Sequence, residues 1–140
     1  MTASTRSTGG LRQRVRPLRT RSRTAAGARY AAWMASPAWR ARRREWVREE
    51  TARAGGVWCA LCSRPWRADA GDLHHLSYRR LGHERHEELM AMCRPCHEAL
   101  HRVIDASPAW QRLIAKGHRA AVTRTIVRQL KATMGGAGDE

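Results

Sequence analysis

The stretch that decides the fold opens with Cys59-Ala60-Leu61-Cys62, runs through Asp72-Leu73-His74-His75-Leu76, and closes with Cys93-Arg94-Pro95-Cys96-His97 and then His101. All four cysteines of the chain and six of its seven histidines lie between Val57 and His101. Each Cys-x-x-Cys pair can hold two sulfurs ~2.3 Å from one ion in a tight turn, and two such pairs close a tetrahedral four-thiolate shell. A closed shell leaves no position for substrate, so Cys59, Cys62, Cys93 and Cys96 are read as ligands of a structural zinc. A redox pair or unligated buried thiols are the alternatives, and two matched pairs argue against both. So short a segment has too little core to fold alone, and bound metal supplies much of what is missing. The zinc also makes a closed loop of the 30 residues between Cys62 and Cys93.

Inside that loop sit the adjacent His74 and His75. On an extended strand they point to opposite faces, so one can bind metal while the other projects elsewhere. His97 follows Cys96 directly, and His101 lies one helical turn later on the same face. The pair is half of a transition-metal site, which His74 would complete as a three-imidazole site with open positions for water and phosphate. Taken singly, each histidine is as easily a surface or hydrogen-bonded residue. The cysteine clamps, which draw positions 74, 97 and 101 together, favour the metal reading. His83, His86 and His118 are read as ordinary polar residues.

Upstream, Trp33, Trp39, Trp46 and Val47 recur at roughly helical spacing, and Ser36-Pro37 is a good helix start. A helix is expected over about 37–53, stopped by Gly55-Gly56, with its tryptophans in the core. Its other face carries Arg40 and Arg44, taken as DNA contacts, with a solvated ion-paired face as the plainer alternative. Downstream, Ser107-Pro108 opens a short helix that Gly117 ends, and Val122, Ile126, Val127, Leu130 and Met134 form the apolar stripe of a last helix running to about 134. The division expected is a disordered arginine-rich arm over 1–29, a helical segment over 30–56, a metal-bearing finger over 57–104, and helices with a frayed tail over 105–140.

The chain has 140 residues, 27 Lys+Arg against 12 Asp+Glu, a formal charge of +15 and a mean hydropathy of −0.64. This length leaves room for one small domain with appendages and argues against a two-domain enzyme. The hydropathy and the short apolar runs exclude a membrane-spanning helix. No apolar segment follows a charged start, so a cytoplasmic, nucleic-acid-associated protein is expected, whose cysteines meet metal more readily than each other. The charge predicts a polyanionic partner, and arginine, which makes up 25 of the 27 cations, forks onto phosphate and stacks on bases. It is unevenly spread: +8 over 1–29, +3 over 30–56, zero over 57–101 and +4 over 102–140. The arm over 1–29 is laid along phosphates or merely solubilising, with a transit peptide of the same composition as the third reading.

The residues from Cys59 to His101 resemble the HNH endonucleases, the ββα-metal or His-Me finger nucleases, in their zinc-supported phage and bacterial form. The match rests on Cys59-x-x-Cys62, Asp72-Leu73-His74-His75-Leu76-Ser77-Tyr78, Leu81-Gly82-His83-Glu84, the run from Glu88 to His97, and His101. The resemblance implies a small α+β fold, a ββα-metal finger stapled by the zinc with flanking helices, and a DNA endonuclease that leaves 5′-phosphate and 3′-hydroxyl ends. It makes His75 the general base and His74 and His97 metal ligands, with His101 a further ligand. The ion would be Mg, Mn, Ni or Zn. The family's bracing asparagine should fall near position 88, where this chain has Glu88, with Glu87 the neighbouring alternative. Arg79 and Arg80, just after the histidine strand, are placed to meet the phosphates flanking the cut. DNA is the implied partner, with phage or mobile-element proteins as a second class. The competing readings are a zinc-stabilised DNA-binding or packaging-accessory module without catalysis, and an RNA-binding zinc knuckle or RNase.

Overall fold

The computed structural model describes residues 24–136, in which five helices surround a two-stranded antiparallel sheet. Helix α1 spans Ala25–Met34 and α2 Pro37–Ala54; strands β1 (Gly71–His75) and β2 (Leu89–Cys93) follow, then α3 (Arg94–Asp105), α4 (Pro108–Ala115) and α5 (Arg119–Gly135). A short 3₁₀ turn, His86–Glu88, leads into β2. Among the described residues no helix is long and apolar enough to cross a membrane.

The local signals explain most boundaries. Ser36 caps α2 by accepting from the Trp39 amide at 3.1 Å, Pro37 occupies the first turn where its missing N–H costs nothing, and Gly55 ends the helix in the left-handed region at φ 81°. The same device repeats at Ser107, Pro108 and Trp110 of α4. One boundary departs from expectation. Residues 25–29, assigned to a disordered arm by their composition, form the first half of α1, whose cap Thr24 accepts from the Gly27 amide at 3.1 Å. Alanine at 25, 26 and 28 outweighs Gly27 in helix propensity. The rest of the arm, 1–23, and the tail 137–140 lie outside the described residues.

The strand pleat divides the core in two. Leu73 pairs with Ala91 and His75 with Leu89, and these leucines and the alanine face α2, where they are buried with Trp39, Trp46 and Trp66. On the other face Met92 is buried with Leu61 and Cys59, with Leu100 and Ile104 of α3, and with Val122, Ile126 and Val127 of α5. The last helix thus packs on the cysteine-bearing segment itself. Met134, expected on its apolar stripe, is 53 % exposed, because α5 outruns the core.

Gly71 opens β1 with the Trp66 indole lying directly against its α-carbon, and Trp66 Nε1 donates to the Met92 carbonyl at 3.0 Å. A Cβ there would overlap that nitrogen. Gly71→Ala is therefore expected to cost about 2–4 kcal/mol, combining overpacking with a strained buried hydrogen bond. Thermal unfolding of the variant checks this, and an unchanged midpoint would mean the indole can move freely.

Candidate active site

Cys59 and Cys62 come from a turn, and Cys93 and Cys96 from the junction of β2 with α3, which the fold brings together. Cys59 and Cys62 lie on a tight turn that closes at Ser63, whose φ is 61°, and the Ala60 amide donates to the Ala91 carbonyl of β2 at 2.8 Å, fixing the turn against the strand end that carries Cys93. Ligand atoms of Cys59, Cys62, Cys93 and Cys96 all lie within 4.8 Å of one another, and Cys62 Sγ is 3.8 Å from Cys93 Sγ. This set can hold a structural ion such as zinc. Burial opposes ionisation of Cys59, but the amides of Cys62, Cys93 and Leu61 outweigh it and bring that thiol down to about 7. Burial and the neighbouring sulfurs push Cys96 the other way. A cation placed among these sulfurs would favour their thiolate forms, which is the chemistry of a thiolate metal site.

On the face of β1 opposite α2, His74 meets His97 and His101 of α3. His97 Nε2 lies 3.1 Å from His74 Nδ1 and 3.0 Å from His101 Nε2. The outer nitrogens are held from behind: His97 Nδ1 is 3.1 Å from Asp72 Oδ2, and His74 Nε2 is 3.2 Å from Thr123 Oγ1 of α5. Ligating imidazoles are commonly oriented in this way, with a carboxylate or hydroxyl on the far nitrogen. His74 is 1 % exposed, and burial, with Arg119 and the neighbouring rings, pushes it down to about 2, while burial and His97 also lower His101. Both rings are therefore neutral at neutral pH, the form that binds metal. The residues fit a divalent cation.

His75 goes to the other face. Its ring stacks on Trp39 at 5.0 Å and Tyr78 at 5.4 Å, with Tyr30 edge-on at 6.0 Å. Its Nε2 lies 2.9 Å from Oε1 of the buried Glu84, which also accepts from Trp33 Nε1 at 2.7 Å. Burial alone would raise the Glu84 carboxyl, but the bonds from His75, its local backbone and Trp33 hold it below the ordinary range. An ionised Glu84 puts the ring proton on Nε2 and leaves Nδ1 bare. Burial lowers His75 itself, against the pull of Glu84, so the ring is neutral. His74, His75, His97, His101, Tyr78 and Arg119 share the walls of a cleft of about 140 Å³, and Arg119 Nε donates to the His75 carbonyl at 2.8 Å.

No family model, curated protein or solved structure matches this chain.

The remaining expected residues fare differently. Glu88 does not touch His75. Its carboxylate accepts from the Arg85 amide at 2.8 Å and pairs with Arg80, while its carbonyl accepts from Leu76 N at 2.8 Å, so it braces the loop that follows the histidines and Glu87 stays exposed. Glu88 is thus a brace, not a group at the site. Arg80 is exposed and is paired with Glu88. Arg79 is exposed beside the site. Arg40 and Arg44 lie on the exposed side of α2 and line neither the histidine cleft nor its neighbour. Arg119 and Thr123 are at the site without having been singled out, and Glu84, which lies in a stretch that carries the resemblance, had been given no role; Asp72 had a signal, two residues before His74 and hence on its face of the strand. His86 is more than an ordinary polar residue. It stacks on Trp46 at 4.9 Å and its two nitrogens reach Glu49 at 2.8 Å and Glu50 at 2.6 Å, latching the loop to α2.

Proposed function

We propose that the chain is a metal-dependent endonuclease of the HNH type that hydrolyses DNA. One observation carries the reading: consecutive strand residues deliver one imidazole to a three-histidine cluster and the next, across the sheet, to a buried carboxylate. His74, His97 and His101 would hold a divalent ion, which when bound would offset the charge growing on the phosphate. His75 takes a proton from the attacking water at Nδ1, and Glu84 stabilises the imidazolium that results. Arg119, beside the His75 carbonyl, adds positive charge where the phosphate arrives. The products would carry 5′-phosphate and 3′-hydroxyl ends.

A second reading, a zinc-stabilised DNA-binding module without catalysis, is favoured by the 2 % exposure of His75, a value typical of a packing residue. Supercoiled plasmid given to metal-stripped chain separates the two when Mg, Mn, Ni or Zn is restored. Nicked circles that ligase reseals without prior phosphorylation are expected. Intact plasmid with every ion, alongside retained DNA binding, would favour the module, and parallel RNA and single-strand substrates test the RNase alternative.

Glu84→Gln isolates the charge, since glutamine can keep an acceptor at the Oε1 position for both His75 and Trp33 but cannot offset an imidazolium. Cleavage is expected to fall by about 10- to 100-fold at unchanged metal content. Wild-type rates in this variant would leave Glu84 a structural role only.

A further inference from the structure

Beside the histidine cleft lies a larger one, about 630 Å³, between α1 and the loop over 77–82. Its walls are Tyr30, Trp33, Tyr78 and Leu81, with Arg29 and Arg79 as its charges and, among the described residues, no acidic side chain in the lining. Tyr30 and Tyr78 also line the histidine cleft, so the two adjoin at these rings. Tyr78 is 44 % exposed, although its ring stacks on His75 and lies under the Arg119 guanidinium. An aromatic recess with arginines and no acids is built for a flat apolar body attached to an anion. Its volume falls in the range of small-ligand sites, ~300–1,000 Å³. Burial and Tyr78 push the Tyr30 phenol up to about 12, so it meets an anion as a neutral hydroxyl.

We propose that this cleft seats the base of an unpaired nucleotide adjoining the scissile phosphate, with Arg29 and Arg79 on its backbone, and that the favoured substrate is therefore a single-stranded or locally opened region of DNA. This rests on the nuclease reading for the position of the scissile phosphate. A base inside a duplex is covered by its stacked neighbours and its partner, so it can enter such a recess only after leaving the stack. In a single strand that cost largely vanishes, and aromatic walls accept any base because every base has a π-face. The shared Tyr30 and Tyr78 put the neighbouring nucleotide one step from the histidines.

The test measures binding apart from cutting. The full zinc-loaded chain, without added divalent ion, is titrated into three fluorescent probes: a 12-residue thymidine strand, the same strand with abasic sugars in place of the bases, and a blunt 12-base-pair duplex. The thymidine strand is expected to bind about 10- to 100-fold more tightly than the abasic one, the range set by stacking one or two bases. Tyr78→Ala should remove most of that difference. Arg79→Ala, an exposed change that leaves the core alone, should weaken both strands similarly and keep the argument testable if the tyrosine variant misfolds. Equal affinity for thymidine and abasic strands, or tighter binding of the duplex than of either, overturns the proposal. Base-dependent binding by a chain that cuts nothing would retain the cleft and remove the nuclease reading. Efficient cutting of duplex with no base dependence would do the reverse.

Discussion

Cys93→Ser is expected to leave the chain without a cooperative thermal transition and unable to hold zinc at the cysteine site. Cys93 is both the last residue of β2 and the cap of α3, and its amide donates to Cys59 Sγ at 3.4 Å. The ion would therefore join the 59–62 turn, the strand and the helix at one point. Structural zinc in small domains contributes roughly 10–16 kcal/mol, against total stabilities of about 5–15 kcal/mol for whole domains. Serine cannot supply a thiolate at neutral pH, and the hydrogen bonds and apolar contacts that remain are those of a small core cut into two by the sheet. Circular dichroism on heating, with zinc counted in the same sample, measures both effects. A variant that holds no zinc yet melts within a few degrees of wild type would show that the cysteines merely pack. The same logic fixes the response to acid: the bound form needs thiolates, so lowering the pH protonates sulfur, releases the ion and removes the stability it gave.

The second large effect concerns His75. Alanine at this position would strand the buried, ionised Glu84 and confuse catalysis with folding. Glutamine is the sharper change, because its amide can still donate to Glu84 Oε1 while offering no group that takes a proton near neutral pH. Cleavage by His75→Gln is expected to fall by about 10²- to 10⁴-fold, the usual worth of a general base, with the melting midpoint close to wild type and metal content unaltered. Cutting within a few-fold of wild type would mean that water is activated elsewhere and that His75 belongs to the core formed with Trp39. An inactive variant that had also lost its ions would assign the defect to folding.

The parts of this molecule legible from sequence are those fixed by short spacing. Two Cys-x-x-Cys turns, His97 and His101 one helical turn apart, and the opposite faces taken by His74 and His75 all follow from backbone periodicity. The helix over Pro37–Ala54 was legible from its cap, its glycine stop and its tryptophan spacing. What sequence did not show are pairings made across loops or between distant helices. Glu84 reaches His75 by folding back through the loop over 76–88, and Arg119 and Thr123 arrive from α5, more than forty residues along the chain from the histidines they support. No periodicity links such positions. Composition also misled in one place, since a run of small residues beside arginines looked disordered although Thr24 caps α1 and the alanines after it begin it. That helix carries Tyr30 and Trp33, which help to enclose the histidine and its carboxylate. The neutral formal charge of 57–101 is sharpened in the same way: Arg119, at the start of α5, brings to the histidine cleft a cation that the segment's own count omits.

The most direct test of the central claim is a stepwise metal titration of the stripped chain, following helicity and plasmid nicking in the same samples. The cysteine site is expected to fill with the first equivalent of zinc and bring folding without cutting. Nicking should appear only as a second divalent ion binds, and should be absent at every ratio in His97→Ala, which removes the central imidazole of the cluster. Full nicking with one ion per chain, or folded protein carrying two ions that leaves plasmid intact, would contradict the account.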